Sequence, residues 1–342
     1  RVLLHKLARY GFVGKSSAWL GSYVSERRQM VAHGEVYSDV ALCNAGVPQG
    51  SRLGPILFVL FINDVEEIGL RGSLYMYADD LCLVYRGKSV AQLHEDASHD
   101  LGEIESWASR SKVTVNASKT KYMVFGATGP DLRLVLGATE LELVPEFRYL
   151  GVTLDDSLSF TSHIGSLVQK LSALTGAMRR SASIEIKMDV RMLVYYGLFE
   201  SLMNYAALIW SSASGEELRR IQVAQNKFLR VILRLDSRCH SAEIYHDRKI
   251  VKFLNSVNAQ KIIHIYKVKN GLLHSNLVLN TKVNIQNTRN AHPIVTNKPR
   301  TTKFGVKALM FSSLKLFNEF IVKNPNISLS KLKEKLSSTE FV

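Results

Sequence analysis

Two adjacent carboxylates, Asp79 and Asp80, stand between two runs of aliphatic and aromatic residues, Leu74-Tyr75-Met76-Tyr77-Ala78 and Leu81-Cys82-Leu83-Val84-Tyr85. Each run has the composition of a short strand, so the stretch reads as a β-hairpin whose tight turn carries the acids. Like charges crowded among apolar residues are costly unless something positive neutralises them. A divalent cation does so most simply, and Mg²⁺ prefers hard carboxylate oxygens. The alternative is an ordinary solvated turn, in which Asp is common.

A second stretch with chemical potential lies upstream. Gly46-Val47-Pro48-Gln49-Gly50-Ser51-Arg52-Leu53-Gly54-Pro55 holds three glycines and two prolines in ten residues. Such a loop lets backbone approach another molecule closely. Ser51 is placed to cap the helix that follows, and Pro55 suits its first turn. Ile56 to Ile62 is apolar all round, which predicts a buried helix. A glycine-rich loop opening a helix offers free N–H groups to an anion or a nucleotide, although a plain tight turn has the same composition.

The elements around these stretches are legible from periodicity. Leu3, Leu4, Leu7 and Ala8, then Trp19, Leu20 and Tyr23, predict two short helices separated by Gly11 and Gly14. Met30 to Ala45 reads as a β-pair around His33-Gly34. Val90, Leu93, Ala97, Leu101, Ile104 and Trp107 recur at helical spacing. Val113–Val115 and Tyr122–Phe125 read as short strands around Asn116 to Lys119, Leu132–Val144 as a hairpin turning near Gly137, and Phe147–Leu154 as one more strand. This is an α+β pattern, a sheet with helices packed against it. From Ser162 the period becomes helical throughout. Ile164 to Met178 lines one face, Met192 to Trp210 is aromatic-rich, and Leu218, Ile221, Phe228, Leu229 and Ile232 form a third apolar face. Arg220, Lys227, Arg230 and Arg234 fall on a separate stripe of that last helix. Residues 281–303 read as a loop, and Val306, Leu309, Met310, Ser313, Leu314 and Phe317 as the apolar face of a final long helix.

Charge divides the chain as sharply as periodicity does. The net charge is +14, yet residues 1–160 hold 16 Lys/Arg against 19 Asp/Glu, and residues 161–342 hold 28 against 11. A near-neutral half joined to a half carrying +17 points to a polyanion as the partner of the second half. The four-cation stripe then reads as phosphate-tracking rather than merely solvated. Cys43, Cys82 and Cys239 are far apart with no CxxC pair, which argues against a disulfide framework or structural zinc and suits a reducing compartment. Cys239, His240 and His246 lack a fourth ligand at finger-like spacing and read as surface residues. No apolar run reaches a membrane span of about 18 residues, and no signal peptide or other targeting signal is visible. Arg1 is not an initiator methionine, so the chain reads as a fragment or processed product.

Taken in order, these features resemble a known family. The Gly-Val-Pro-Gln-Gly-Ser loop, the helix ending Phe61-Ile62-Asn63-Asp64 and the Tyr77-Ala78-Asp79-Asp80 hairpin resemble the palm of reverse transcriptases, most closely those of non-LTR (LINE-type, jockey-like) retrotransposons. Asn116 with Lys119-Thr120, Met123 and Phe125 looks like the fourth palm motif, and Phe147-Arg148-Tyr149-Leu150-Gly151-Val152 like the primer grip. The resemblance implies a partial right-hand polymerase palm over 1–160, an antiparallel sheet with packed helices. It further implies an all-α thumb over 161–238 and a basic helical C-terminal region over 239–342.

The implied activity is RNA-directed DNA synthesis, by attack of a primer 3′-hydroxyl on the α-phosphate of a deoxynucleoside triphosphate, with two Mg²⁺ ions in the complete enzyme. The implied roles are metal ligation by Asp79 and Asp80, and positioning or protonation of pyrophosphate by Lys119. Pro48, Gln49, Gly50, Tyr77 and Ala78 would form the nucleotide and template surface, and Tyr149, Leu150 and Gly151 the primer support. The implied partners are an RNA template, a DNA primer and deoxynucleotides, with action in the nucleus. In the family another metal-binding aspartate lies on a strand just before the helix that resembles Arg1 to Leu7, and basic fingers hold the triphosphate. Residues 1–342 alone are therefore expected not to polymerise. The alternative is a non-catalytic nucleic-acid-binding remnant of a decayed or domesticated element. An RNA-copying viral polymerase is disfavoured, since Tyr-Ala-Asp-Asp stands where Gly-Asp-Asp is usual.

Overall fold

The computed structural model describes residues 1–43, 45–126, 132–181, 185–245, 250–273, 294, 309–324 and 327–338. The chain forms two compact units, Arg1–Val144 and Pro145–Val342.

The first unit opens with helices α1 (Val2–Arg9) and α2 (Lys15–Val24). A β-arm follows, in which β1 (Arg27–Gln29) pairs with β4 (Ala41–Cys43), and β2 (Ala32–His33) with β3 (Val36–Tyr37), turning at Gly34. Helix α3 (Gly54–Ile62) runs straight into a 3-10 segment, Asn63–Ile68. Strands β5 (Ser73–Tyr77) and β6 (Asp80–Val84) make the expected hairpin, and α4 (Val90–Ser111) makes the expected amphipathic helix. Ser89 caps α4, its hydroxyl accepting from the Gln92 amide at 3.3 Å. Strand β7 (Lys121–Tyr122) pairs in parallel with β10 (Glu142–Leu143), while β8 (Val135–Leu136) and β9 (Thr139–Glu140) form the hairpin at Gly137.

Several expectations need correction. The strands of this unit form separate two-stranded ladders, not one sheet. Most of its strands are only two or three residues long, too short to recruit a third. Val113–Val115 is not a strand: Val113 and Val115 face the packed interior beside Trp107, and the Val113 amide bonds back to Ala108. Helix α3 is not enclosed. Leu57 is buried against Leu7 and Leu20, but Ile56 and Val59 are about half exposed, because α1 and α2 cover only one side of it.

The second unit starts with a hairpin, β11 (Glu146–Tyr149) and β12 (Val152–Asp155), where one continuous strand was expected. Leu150 (φ 45°) and Gly151 (φ 81°) supply the two left-handed positions a two-residue turn needs. Helices α5 (Thr161–Arg180) and α6 (Met188–Val194) follow. The aromatic stretch is not one α-helix. It passes through a π-helical segment, Tyr195–Glu200, into α7 (Ser201–Asn204) and α8 (Ala207–Trp210). Tyr195, Phe199, Met203 and Ala207 all point inward at steps of four. At 3.6 residues per turn that stripe would rotate away from the core, and wider π turns reduce the drift.

Helix α9 (Gly215–Leu233) is capped by Ser214, which accepts from the Glu217 amide at 3.3 Å. After α10 (Ser241–Tyr245) and α11 (Phe253–Lys269) come α12 (Leu309–Lys323) and α13 (Leu329–Ser338). One core joins Val152, Ile164, Tyr195, Phe199, Trp210, Phe228 and Phe253, and a second gathers Ile262, Ile265, Phe317 and Leu332. Gln225, fully buried, ties these helices together. Its side chain donates to the Tyr195 hydroxyl (2.9 Å) and the Val251 carbonyl (2.8 Å) and accepts from the Phe253 amide (2.8 Å). The expected loop at 281–303, apart from Ile294, and the positions of Val306 and His246 lie outside the described residues.

Candidate active site

The hairpin β5–β6 closes in the register Tyr77↔Asp80, leaving Ala78 and Asp79 as a two-residue turn. Ala78 has φ 52°, a left-handed backbone that costs a non-glycine residue about 1–2 kcal/mol. Tyr77, Ala78, Asp79 and Asp80 are all exposed at the tip. Among the described residues neither carboxylate enters a hydrogen bond or an ion pair. Leu74, Met76 and Leu81 point the other way, onto Val65, Trp107 and Ala108. The period-2 alternation of the strands thus sends the apolar side chains inward and, at the tip, leaves the acids in solvent.

That inner face rests on a polar knot. Lys6, only 7% exposed, donates through Nζ to Asp64 Oδ1 (2.7 Å), to the Phe61 carbonyl (2.9 Å) and to the Ser111 hydroxyl (2.9 Å). The Trp107 indole N–H donates to the same Asp64 oxygen at 2.9 Å. One aspartate therefore binds α1, the 3-10 segment and α4 into the floor under the hairpin. The hairpin's base is fastened separately. Asp100, fully buried on α4, accepts from the amides of Arg71 (3.0 Å) and Gly72 (2.8 Å) and from His99 Nδ1 (3.0 Å). Burial alone would push its pKa up, but these donors outweigh burial and hold the carboxyl below its ordinary range.

The glycine-rich loop is a turn stitched by Ser51. Its hydroxyl donates to the Pro48 carbonyl (2.7 Å) and accepts from the Gly54 amide (3.0 Å). A Cβ on Gly54 would sit 2.8 Å from the Pro48 oxygen, so only glycine lets the turn close on the start of α3. Arg27 holds the incoming side, donating to the carbonyls of Ala45 and Gly46 at 2.8 Å each. Gln49 and Gly50 are left exposed at the loop's tip, with Pro48 half-buried behind them. Loop and hairpin are seated on one continuous support, since α3 carries Leu57 under the loop and Ile62 beside the hairpin floor.

Lys119 is exposed on a third turn. That turn is built by Asn116, whose side-chain oxygen accepts from the Lys119 amide (3.2 Å) and the Ser118 hydroxyl (2.7 Å).

Residues 2–154 match the family described as reverse transcriptase (RNA-dependent DNA polymerase). The match spans the loop, the hairpin, the Asn116 turn and the Tyr149–Gly151 turn. The resemblance to LINE-type reverse transcriptases holds. The chain is 27% identical over 250 residues to a probable RNA-directed DNA polymerase from transposon X-element of Drosophila melanogaster, covering 70% of this chain and 27% of that relative. It is 31% identical over 229 residues to the corresponding protein of transposon BS from the same fly, covering 62% and 25%. To the RNA-directed DNA polymerase from mobile element jockey of Drosophila funebris it is 31% identical over 231 residues, covering 63% and 25%. The chain thus spans about a quarter of the length of these curated relatives.

Outside the family match, Arg220, Lys227 and Arg230 lie on α9 as expected, whereas Arg234 follows it as a left-handed C-cap (φ 55°), and the four have unequal surroundings. Arg220 pairs with Glu217 at 2.6 Å, and Arg230 donates twice to the Cys239 carbonyl (3.2 and 3.0 Å). Lys227 and Arg234 are exposed. In the same unit, the turn Leu150-Gly151 is stapled by Tyr205, whose hydroxyl donates to the Leu150 carbonyl at 2.8 Å. The Tyr205 ring lies 3.2 Å from where a Gly151 Cβ would be. Thr153 donates its amide to His163 Nδ1 (3.3 Å), and Val152 enters the core. Burial, then Lys170 and Arg148, pull the pKa of His163 down and keep the ring neutral.

Lys6, Asp64, Asp100 and His163 were not singled out in the sequence as site residues. A signal existed for Asp100. It falls three residues after Ala97 and four before Ile104, so a carboxylate stands on the inward stripe of an amphipathic helix.

Proposed function

We propose that this chain carries the nucleotidyl-transfer centre of an RNA-directed DNA polymerase of a LINE-type retrotransposon. Residues 1–160 correspond to part of the palm, 161–238 to the thumb and 239–342 to a basic C-terminal region. The observation that carries the reading is the hairpin tip, where two adjacent carboxylates without partners among the described residues are exposed on a strained turn, within a span that matches the reverse transcriptase family.

The donor set fits Mg²⁺, which is commonly held by one or two carboxylates together with substrate phosphates and water. Asp79 and Asp80 are the ligands this chain contributes; among the described residues they belong to no group of three or more His, Cys, Asp or Glu side chains gathered to hold a metal. Bound Mg²⁺ supplies charge stabilisation for the attacking and leaving oxygens. The remaining work belongs to side chains and backbone. Gln49 and Gly50 present an open loop edge to the nucleotide and template, and Pro48 shapes it. Ala78, with a single methyl beside the acids, leaves room for the primer strand, and Tyr77 walls the same side. Lys119 is an exposed cation for the departing pyrophosphate. The Leu150-Gly151 turn, held by Tyr205, supports the primer next to Tyr149. Lys227 and Arg234 track phosphates, with Arg220 and Arg230 lending positive potential. The partners are an RNA template, a DNA primer and deoxynucleoside triphosphates, and the site of action is the nucleus.

Primer extension on an RNA template tests this. The chain is expressed with all in-frame sequence its gene encodes on either side. Mg²⁺-dependent incorporation is expected, falling about 10³-fold in Asp79→Asn, some 4 kcal/mol of barrier. Incorporation undiminished in Asp79→Asn would overturn the proposal.

A further inference from the structure

We infer that Asp100 is a positioning residue for the carboxylate tip, acting through the two ends of the hairpin. This rests on the reading of Asp79 and Asp80 given above.

Asp100 is fully buried and spends both oxygens on the backbone that enters β5, at Arg71 and Gly72. The other end of the hairpin closes on the same spot. Tyr85 follows β6, its hydroxyl is buried, and burial first and the Asp100 charge second push its pKa up. The Tyr85 ring covers Gly72 so closely that a Cβ there would lie 2.5 Å from the ring edge. One carboxylate and one ring therefore lock the start of β5 to the end of β6. Arg71 adds an outer tie, pairing with Glu95 (3.1 Å) and Asp96 (3.2 Å) on the same helix.

The consequence follows from rigidity. Asp79 lies about 20 Å up the strand from Gly72, at the 3.3 Å rise of a β-strand. A small rocking of the base becomes a larger displacement of the tip. A misplacement near 1 Å at reacting groups costs up to about 10²-fold in rate. An isolated two-stranded ladder has no third strand to resist rocking, and α4 supplies the resistance through Asp100.

Asp100→Asn keeps the shape but turns a donor toward one of the two amides. In the primer-extension assay, kcat is expected to fall tenfold to a hundredfold, with KM for deoxynucleotide and affinity for primer–template within twofold of the parent. The Mg²⁺ concentration for half-maximal rate is expected to rise severalfold. Gly72→Ala, which forces the Tyr85 ring away, should reproduce both changes and carries the test alone if Asp100→Asn does not fold. Ser106→Gly loosens the same helix at an exposed position away from the clamp and should leave the Mg²⁺ dependence unchanged. The inference is overturned if the folded clamp variant keeps parental kcat and Mg²⁺ dependence, or if Ser106→Gly shifts the Mg²⁺ dependence equally. If Asp79→Asn itself retains activity, the polymerase reading fails instead, and the two failures are told apart.

Discussion

The two units of this chain solve different problems. Residues 1–144 carry 15 Lys/Arg against 16 Asp/Glu, and residues 145–342 carry 29 against 14. The first unit divides its apolar interior into three small clusters, under α1–α3, under the hairpin, and around Leu134 and Leu136. Its backbone is pinned by single charged side chains, Lys6 with Asp64, and Asp100. The second unit joins a hairpin and most of its helices in one core and links them through Gln225. The first unit displays carboxylates on a strained turn over a firm floor. The second packs densely and presents cations. On the proposed function, chemistry lies in the first unit and grip in the second, and each should be breakable without the other.

The largest expected effect lies in the second core. Phe228 stacks on Phe199 at 4.3 Å and contacts Tyr195, so Phe228→Ala should cost about 3–5 kcal/mol. Hydrogen exchange should show the loss spread over α5, α9 and the π segment while α4 keeps its protection. Slightly smaller is the cost of opening the knot in the first unit. Asp64→Ala strands a buried lysine and should remove about 3 kcal/mol from that unit alone. If either variant destabilised both units equally, the division into separable parts would be wrong.

A smaller separation should appear with pH. His163 and His264 have folded pKa values below the ordinary 6.5, each because of burial first and neighbouring cations second. The unfolded chain therefore binds these protons more readily. The stability contributed by the neutral rings is present above about pH 6.5 and drains away as pH falls below it. Asp100 in the first unit has a folded pKa below the ordinary 3.8, so its contribution is present above that value and is lost only as pH falls through the lower folded one. Asp155 behaves likewise in the second unit; Glu200 there, its pKa raised by burial, gains stability as pH falls and offsets part of what the two histidines lose. Hydrogen exchange at pH 7 and pH 5 should show protection falling in the second unit and holding in the first. The smallest effect is at the tip: Ala78→Gly removes the left-handed strain and should stabilise the hairpin by about 0.5–1 kcal/mol.

Much of this was legible in the sequence where the pattern is local. The hairpin at Asp79-Asp80, the long helix from Val90 and the turn at Gly137 follow from alternation, period and glycine. What was not legible depends on partners far along the chain. An all-apolar Ile56–Ile62 reads as buried, yet Ile56 and Val59 are exposed because packing on one side only is a property of α1 and α2. Phe147–Leu154 reads as one strand because the left-handed pair at Leu150-Gly151 is visible only once Tyr205 fixes the turn. Lys6 and Asp64 are 58 residues apart, and nothing local announces that they meet. In the cation stripe, spacing gave the face but not the surroundings, so Arg220 and Arg230 looked equivalent to Lys227 and Arg234.

The central claim is that the hairpin carries the chemistry and the basic unit the grip. The most direct measurement takes Asp79→Asn and the double variant Lys227→Glu with Arg234→Glu through two assays, primer–template affinity at several salt concentrations and extension rate at saturating primer–template. The account predicts a crossed result. Asp79→Asn should bind with parental affinity and salt slope but fail to extend, while the charge variant should bind more weakly with a shallower salt slope and extend at near-parental rate once saturated. Parental extension by Asp79→Asn, or parental affinity and salt slope in the charge variant, would contradict it.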